Sequence, residues 1–311
     1  MKVAIIGAGA MGSLFAALLS PRADVVLVGR SAEHIDAIRS TGLSVEHMDG
    51  SLRRYRVKAT SDLRSIAQEA NLVLVFTKSH HTREAARSAG TVLNRDGLAL
   101  TLQNGIGNLE ILSEVLGASS ALAGVTSHGA TFIDYGFVRH AGAGPTYLGS
   151  CPGRKALLDE VVFLFNESGI QTTVSNDLEG IIWGKLVVNA GINALAAILR
   201  VPNGKLIESD ECSIIMQGAA KEAAAVAKAS GVSLSFADPM NQVRQVCRNT
   251  ARNRASMLQD ILRGTATEID AINGAIVGMG SKLGIETPYN TALTGIVHAL
   301  EATAADRIRE E

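Results

Sequence analysis

One stretch near the start of the chain decides the fold: Val3-Ala4-Ile5-Ile6-Gly7-Ala8-Gly9-Ala10-Met11-Gly12. Its apolar residues 3–6 predict a short buried strand, and the glycines predict a tight turn into a helix. Gly7 makes the turn, Gly9 lets the backbone approach a pyrophosphate, and Gly12 allows close helix packing. A tight βα turn without a ligand is the alternative. We predict a Rossmann-type dinucleotide site made by Gly7, Ala8, Gly9, Ala10, Met11 and Gly12, with phosphates at the helix N-terminus.

The next strand indicates which dinucleotide is bound. A site that prefers NAD commonly ends this strand with Asp or Glu, which binds the ribose 2′-hydroxyl. The stretch Val25-Val26-Leu27-Val28-Gly29-Arg30 contains no carboxylate and ends with a cation. Arg30 is suited to a bidentate contact with a 2′-phosphate, so we predict NADP(H) as the cofactor. The alternative is a solvated surface arginine.

The first part of the chain alternates strands with helices, which predicts an α/β fold. Apolar runs at 3–6, 25–28, 72–76, 98–102 and 122–125 are typical of a parallel sheet buried on both faces. Helical patterns lie around 11–19, 32–40, 62–69, 80–93 and 107–116. Asp49-Gly50 predicts a hairpin between 43–47 and 53–58. A helix near 153–168 and a strand at 170–174 would complete this domain.

The pattern changes to helices alone after residue 176. The helical stretches lie at 178–199, 209–230, 237–249, 253–263, 265–283 and 290–308. We therefore predict a Rossmann-type NADP-binding domain at 1–175 and an all-helical substrate and catalytic domain at 176–311.

Composition excludes several classes of function. The chain has 311 residues with 29 basic and 30 acidic side chains, which gives a net charge of −1 and no electrostatic footprint for nucleic acid or an anionic membrane. The three cysteines are far apart and indicate neither a disulfide framework nor a zinc site, so we predict no metal and a cytoplasmic location. The partner is expected to be a small molecule, and a homodimer stays open.

A polar stripe interrupts the apolar segment at 181–198. Lys185, Asn189 and Asn193 are spaced i, i+4 and i+8, so they lie on one side of a helix. A buried ammonium needs a partner, a ligand or a shifted pKa, and this need predicts a substrate site. The alternative is a lysine that extends to the surface while its stem covers apolar neighbours.

Further motifs follow in a specific order along the chain. Thr77-Lys78 and Gln103-Asn104-Gly105 follow predicted strands, where open α/β sheets bind ligands. Pro202-Asn203-Gly204, Asn253 to Asp260 and Glu268 to Gly274 come later. Together with Trp183-x-Lys-Leu-x-x-Asn, these motifs resemble those of the ketopantoate reductase (2-dehydropantoate 2-reductase) family over essentially the whole chain. The resemblance implies a Rossmann domain followed by a helical domain like the C-terminal domain of 6-phosphogluconate dehydrogenase.

The resemblance also implies an activity: NADPH-dependent reduction of 2-dehydropantoate to (R)-pantoate, in the synthesis of pantothenate and coenzyme A. By motif match, Lys185 is the general acid, and Glu268 lies near the reacting centre and the cofactor ribose. The substrate ligands implied in the same way are Asn104, Asn189, Asn193, Asn203, Asn253 and Ser256. The implied cofactor contacts beyond the glycine loop and Arg30 are Lys78, Asn104, Ala130 and Glu268. Gln103 departs from the family pattern, which has histidine there.

Residue chemistry agrees with this assignment but leaves alternatives. Hydride transfer to a ketone leaves an alkoxide, which a nearby lysine ammonium stabilises and protonates. Glu268 also fits a capping box with Thr265, and Asn203-Gly204 fits a plain turn. The other hypotheses are a reductase of a different 2-keto acid and a non-catalytic NADP(H)-binding regulatory protein.

Overall fold

The computed structural model describes residues 1–306, and these residues form two compact units. The first unit comprises Met1–Gln103 and Gly107–Leu178. The second comprises Asn104–Ile106 and the chain from Glu179 onward. The predicted α/β domain followed by an all-helical domain is confirmed. The transfer of residues 104–106 to the second unit is not visible in the sequence.

The first unit contains a main sheet and a small sheet. Its strands are β1 (Lys2–Ile6), β2 (Asp24–Val28), β3 (Leu43–Glu46), β4 (Leu52–Tyr55), β5 (Lys58–Thr60), β6 (Ala70–Val75), β7 (Leu93–Thr101), β8 (Ala121–Thr126), β9 (Gly129–Asp134), β10 (Phe137–Gly142), β11 (Thr146–Leu148) and β12 (Thr172–Val174). The main sheet has the order β12-β11-β8-β7-β6-β1-β2-β5, and the small sheet has the order β4-β3-β10-β9. In the main sheet, β8 and β11 pair antiparallel, whereas the other neighbouring strands pair parallel.

The helices of the first unit cover both faces of the main sheet. They are α1 (Ala10–Leu19), α2 (Ala32–Thr41), α3 (Thr82–Val92), α4 (Asn108–Leu116) and α5 (Lys155–Glu167). Alternate residues of β1 enter different cores: Ile5 packs in the core that contains Phe15 of α1, and Ile6 packs in the core that contains Ala86 of α3. The continuous apolar strands are therefore explained by burial on both sides.

The segment 126–150, whose role the sequence leaves open, is divided between the two sheets: β9 and β10 belong to the small sheet and β11 to the main sheet. Val45 of β3 and Val138 of β10 belong to the same core as Phe15, so the small sheet packs against α1. The predicted hairpin forms between β3 and β4, but it ends at Tyr55 because β5 pairs with β2 instead.

The second unit is built from helices. Those that the structure describes are α6 (Leu178–Leu199), α7 (Asp210–Ala229), α8 (Pro239–Asn249), α9 (Ser256–Arg263), α10 (Ala275–Leu283) and α11 (Pro288–Ala302). A π-helical turn, Asp270–Gly274, leads into α10. Helix α6 is long and apolar enough to cross a membrane by length and composition, yet 67% of its most apolar window is buried within the protein. It has the burial of a core helix.

Some predicted helices are shorter than the sequence pattern suggests. The stretch 62–69 contains only a 3₁₀ turn, Leu63–Ile66, because Gln68 adopts a left-handed conformation with φ of 56° and donates its N–H to Thr91. The pattern at 265–283 begins with an irregular segment and the π-helical turn before α10. The last two residues of the stretch 290–308 lie outside the described residues.

Gly12 and Gly9 of the glycine loop differ in the space that surrounds them. A Cβ on Gly12 would collide with the carbonyl oxygen of Gly7, whereas a Cβ on Gly9 would have no atom within 4 Å. We expect Gly12→Ala to destabilise the protein by about 1–3 kcal/mol, since the helix must move away from the turn. Gly9→Ala is the matched control and should unfold close to wild type in a thermal melt. Equal melting temperatures for the two variants would contradict this packing role of Gly12.

Candidate active site

Helix α6 carries the predicted polar stripe. Lys185 and Asn189 are half-buried and Asn193 is 7% exposed, while Val187 and Ala190 on the same helix are fully buried. Burial lowers the pKa of Lys185 from its usual 10.5 to about 8, and the Glu268 carboxylate opposes this effect. Lys185 therefore remains a cation near neutral pH but releases its proton far more easily than an exposed lysine.

The segment that follows α9 places Glu268 in this environment. Glu268 is 8% exposed, and its carbonyl oxygen accepts hydrogen bonds from the N–H groups of Ala271 and Ile272. The N–H of Gly274 donates to the carbonyl of Ile269 at 2.9 Å, which is the wide spacing of a π-helix. Turns of this kind often occur at functional sites. Glu268 thus lies two residues before the π-helical turn, Asp270–Gly274.

The loop 104–106 contacts the same segment. Asn104 Nδ2 donates to Glu268 Oε2 at 3.4 Å, and the N–H of Ile106 donates to the carbonyl of Ala271 at 3.4 Å. Gly105 has φ of +84°, and a Cβ there would collide with the carbonyl oxygen of Ala271. Only glycine fits so close to this backbone in a left-handed conformation. These contacts explain why residues 104–106 group with the second unit.

Gln103 directly precedes Asn104, but its side chain forms hydrogen bonds within the first unit. Its Nε2 donates to the carbonyl of Thr77 at 2.8 Å and to Thr82 Oγ1 at 3.0 Å, and its Oε1 accepts from Thr101 Oγ1 at 2.8 Å. The side chain therefore joins the carboxyl ends of β6 and β7 within the first unit. An amide makes these bonds well, which gives a physical reason why glutamine serves where the family pattern has histidine.

Three further predicted substrate ligands are Asn203, which contacts the loop between α8 and α9, and Asn253 and Ser256, which lie in that loop and at the start of α9. Asn203 Nδ2 donates to Thr250 Oγ1 at 2.9 Å, and its backbone N–H donates to the carbonyl of Asn253. Its Oδ1 is buried without a hydrogen-bond partner in the part of the chain that is described. Asn253 is exposed, and Ser256 is the half-buried first residue of α9. Hydrogen bonds thus fix the turn at Asn203 to the end of α8. Asn203 Oδ1 is the atom of this side chain that has capacity to accept a further hydrogen bond.

The capping-box alternative for Glu268 does not match the geometry around it. The N–H of Thr265 donates to the carbonyl of Asp260, and Thr265 Oγ1 donates to the same carbonyl. Thr267 Oγ1 accepts from the N–H of Ile269, the residue that precedes the π-helical turn, and no side chain caps that turn among the described residues. Thr265 is therefore not the N-cap of the segment that contains Glu268.

The glycine loop of the first unit has the features that a pyrophosphate requires. Gly7 has φ of +112°, and a Cβ there would lie 2.6 Å from the backbone of Phe76 and Thr77. Helix α1 begins after Gly9 without a side-chain cap or an acidic residue in its first turn, within the described residues. Its first N–H groups, which lack helical partners, and its positive dipole end suit an anion. Together with Ala8, Ala10, Met11 and Gly12, this loop fits a dinucleotide phosphate.

Three further predicted cofactor residues lie in the first unit: Arg30 and Lys78 follow β2 and β6, which both pair with β1, and Ala130 lies in β9 of the small sheet. Arg30 follows β2 and its Nη1 lies 3.4 Å from Glu84 Oε2, with the arginine side chain 70% exposed. His81 Nδ1 lies 3.4 Å from the same carboxylate oxygen, and burial lowers the pKa of this histidine. Lys78 and Ala130 are half-buried, at the end of β6 and in β9. An exposed ion pair is weak, so Arg30 remains suited to a phosphate.

Family models match both units of the chain. The model described as "Ketopantoate reductase PanE/ApbA" matches residues 3–153. The model described as "Ketopantoate reductase PanE/ApbA C terminal" matches residues 177–301. The two matches cover the glycine loop, the polar stripe of α6 and the segment of Glu268.

Relatives and solved structures agree over nearly the full length. A curated protein of Halobacterium salinarum named 2-dehydropantoate 2-reductase is 37% identical over 299 residues, which are 96% of this chain and 98% of that protein. A PanE/ApbA family ketopantoate reductase from Ralstonia eutropha has a TM-score of 0.89 at 34% identity, covering 98% of this chain and 100% of its own. D-mandelate dehydrogenase with NADH and anilino(oxo)acetate has a TM-score of 0.91 at 29% identity, with the same coverage. The chain belongs to the ketopantoate reductase family.

Proposed function

We propose that this protein is an NADPH-dependent 2-dehydropantoate 2-reductase that forms (R)-pantoate, a step in the synthesis of pantothenate and coenzyme A. The observation that carries the proposal is the half-buried Lys185 beside the buried Glu268, with a pKa of about 8 for the lysine. Relatives that carry this name match the chain over almost its whole length.

Lys185 is the proposed proton donor. When bound, the nicotinamide cofactor would supply a hydride to the C2 ketone of the substrate, and negative charge would then develop on the carbonyl oxygen. The Lys185 ammonium stabilises that charge and donates its proton to the oxygen. A pKa of about 8 suits this task, because the donor stays charged at neutral pH and yet gives up its proton readily.

Glu268 and the amide side chains hold and orient the reacting groups in this proposal. Glu268 keeps Lys185 protonated, since its carboxylate raises the pKa that burial lowers. Asn104 donates to Glu268 and fixes the carboxylate. The proposed ligands of the substrate carboxylate and hydroxyl are neutral donors and acceptors: Asn104, Asn189, Asn193, Asn203, Asn253 and Ser256.

NADP(H) is the proposed cofactor. The glycine loop binds the pyrophosphate, Arg30 pairs with the 2′-phosphate, and Lys78, Asn104, Ala130 and Glu268 provide further contacts. The absence of a carboxylate at the end of β2 supports a 2′-phosphate over a free hydroxyl.

A second candidate is a reductase of another 2-keto acid on the same fold. The observation that favours it is the high similarity to D-mandelate dehydrogenase with NADH, at a TM-score of 0.91. A reductase of this kind would keep Lys185 and Glu268 and differ in the residues that contact the substrate side chain.

The proposed reaction needs only small molecules, so we propose no nucleic-acid or membrane partner. Net charge of −1 agrees with this. The three cysteines are free, which fits a reducing cytoplasm. A homodimer is compatible with the proposal and is not required by it.

The substrate assignment is tested by reducing a panel of 2-keto acids while NADPH absorbance is followed. We expect ketopantoate to have the highest kcat/KM, and Lys185→Ala to lower kcat by about 10²–10⁴-fold, since the acid catalyst is lost. Lys155→Ala is the control, because Lys155 pairs with Asp159 on an exposed helix face. A better 2-keto acid would favour the second candidate, and NADPH binding without any turnover would favour a regulatory protein.

The pH dependence tests the role of the Lys185–Glu268 pair. Reduction requires the ammonium, so kcat/KM for ketopantoate should fall as pH rises through about 8. Glu268→Gln removes the charge that raises the pKa of Lys185, so the fall should begin at a lower pH. The measurement is a pH profile of kcat/KM for both proteins. A profile that stays flat to pH 10, or moves to higher pH in Glu268→Gln, would refute this assignment.

Cofactor preference tests Arg30. We expect Arg30→Ala to raise KM for NADPH by about tenfold, because a charged hydrogen bond to the 2′-phosphate is lost, and to leave KM for NADH unchanged. Arg83→Ala is the control, since Arg83 also forms an exposed ion pair, with Glu114, but is not a predicted cofactor residue. If the wild type prefers NADH, the assignment of NADP(H) is wrong.

A further inference from the structure

Two fully buried asparagines connect the π-helical turn to its surroundings in the second unit. Asn273 and Asn290 both have an exposure of 0%. Asn273 Nδ2 donates to Asn290 Oδ1 at 2.9 Å and to the carbonyl of Ala190 at 3.2 Å. Asn273 lies in the turn that follows Glu268, and Ala190 lies in α6 directly after Asn189. One amide group therefore joins the segment of Glu268 to the helix of Lys185.

Glu222 of α7 holds the other end of this connection. Its Oε2 accepts from the side-chain Nδ2 of Asn290 at 2.7 Å and from the backbone N–H of the same residue at 2.9 Å. Its Oε1 accepts from the N–H of Tyr289 at 2.8 Å, so Glu222 also caps the start of α11. Asn290 Nδ2 donates further to the carbonyl of Ala219. We call Glu222, Asn290, Asn273 and the Ala190 carbonyl the amide network.

The amide network carries a cost that a purely structural contact would avoid. Within residues 1–306, Asn273 Oδ1 is buried and has no hydrogen-bond partner. An unsatisfied buried acceptor destabilises a fold, and this cost opposes the stabilisation from the two hydrogen bonds that the same amide donates. Natural proteins break such local rules mainly where a function depends on the residue.

The backbone at this point also needs an external support. A π-helical turn has less favourable geometry than an α-helix and is usually kept by contacts with its surroundings. The turn is held on one side by Ile106, whose N–H donates to the Ala271 carbonyl at 3.4 Å, and on the other by Asn273. If the Asn273 bonds are lost, the turn is free to relax toward an α-helix, which rotates the residues that precede it.

We propose that Asn273 is a positioning residue, which fixes the π-helical turn to α6 and thereby keeps the Glu268 carboxylate beside the Lys185 ammonium. Asn290 and Glu222 orient the Asn273 amide. The effect on turnover rests on the proposed function, whereas the effect on the Lys185 ammonium does not. Glu268 is the charged group that raises the pKa of Lys185, so its displacement lowers that pKa further.

The test measures the protonation of Lys185 directly in the full-length protein. Limited labelling with acetic anhydride across a pH series, followed by mass spectrometry of the Lys185 peptide, gives the pH at which the amine becomes reactive. We expect Asn273→Leu, which removes both donated bonds without leaving a cavity, to move this midpoint to lower pH. Ketopantoate turnover should fall by about tenfold, since a small misplacement of catalytic groups is costly.

Two further sets of variants separate positioning from stability. Cys247→Ala removes a fully buried side chain of α8 that takes no part in the amide network, and it should lower the melting temperature without moving the midpoint. Glu222→Gln retains an acceptor oxygen for Asn290 but loses the one for the Tyr289 N–H, so its melting temperature should fall while its midpoint stays near wild type. Glu222→Ala should shift the midpoint in the same direction as Asn273→Leu. The Glu222 pair keeps the test valid if Asn273→Leu does not fold.

Different results would overturn the positioning role of Asn273 and the proposed function. Wild-type midpoints in both Asn273→Leu and Glu222→Ala, with only lower melting temperatures, would overturn the positioning role. A midpoint shift in these variants would support it even if the wild type reduces no ketopantoate, a result that would refute the proposed function alone.

Discussion

The ammonium of Lys185 lies on a helix that is otherwise largely apolar, and this placement requires a negative group nearby in the second unit. Helix α6 packs its Leu, Val, Ile and Ala side chains into the core, which leaves one polar stripe for the lysine and two asparagines. Removing an ammonium from water is unfavourable unless a negative group compensates for it. Glu268 is that group, and its own burial means that its position must be held by hydrogen bonds rather than by solvent.

Three kinds of support meet at Glu268. Its carbonyl begins the backbone bonds of the following helical segment, Asn104 donates to its carboxylate, and Gly105 lets the loop 104–106 approach the π-helical turn. The amide network joins the same turn to α6 through Asn273. A carboxylate fixed in this way changes the pKa of its neighbour without moving toward solvent. The π-helical turn is thus the point at which both the loop 104–106 and α6 contact the segment of Glu268.

Much of this arrangement was predictable from the sequence. The glycine loop lies between a buried strand and a helix, and the structure gives a physical reason for Gly7 and Gly12 at their positions. The stripe on α6 was predictable because helical spacing alone brings its members to one side. Other assignments depended on contacts between distant residues. Asn203 bonds to Thr250, Asn253 is exposed, and Thr265 bonds to the Asp260 carbonyl instead of capping the segment of Glu268.

The sequence by itself determined the family and the order of an α/β and an all-helical unit, and it predicted the residues of the candidate site, because strand and helix periodicities and short motifs are local properties. Tertiary structure alone decided that residues 104–106 join the second unit, that the turn after Glu268 is π-helical, and that Asn273, Asn290 and Glu222 form one network. These features arise from close approach and hydrogen bonding between segments up to 164 positions apart, and no local pattern encodes such distances.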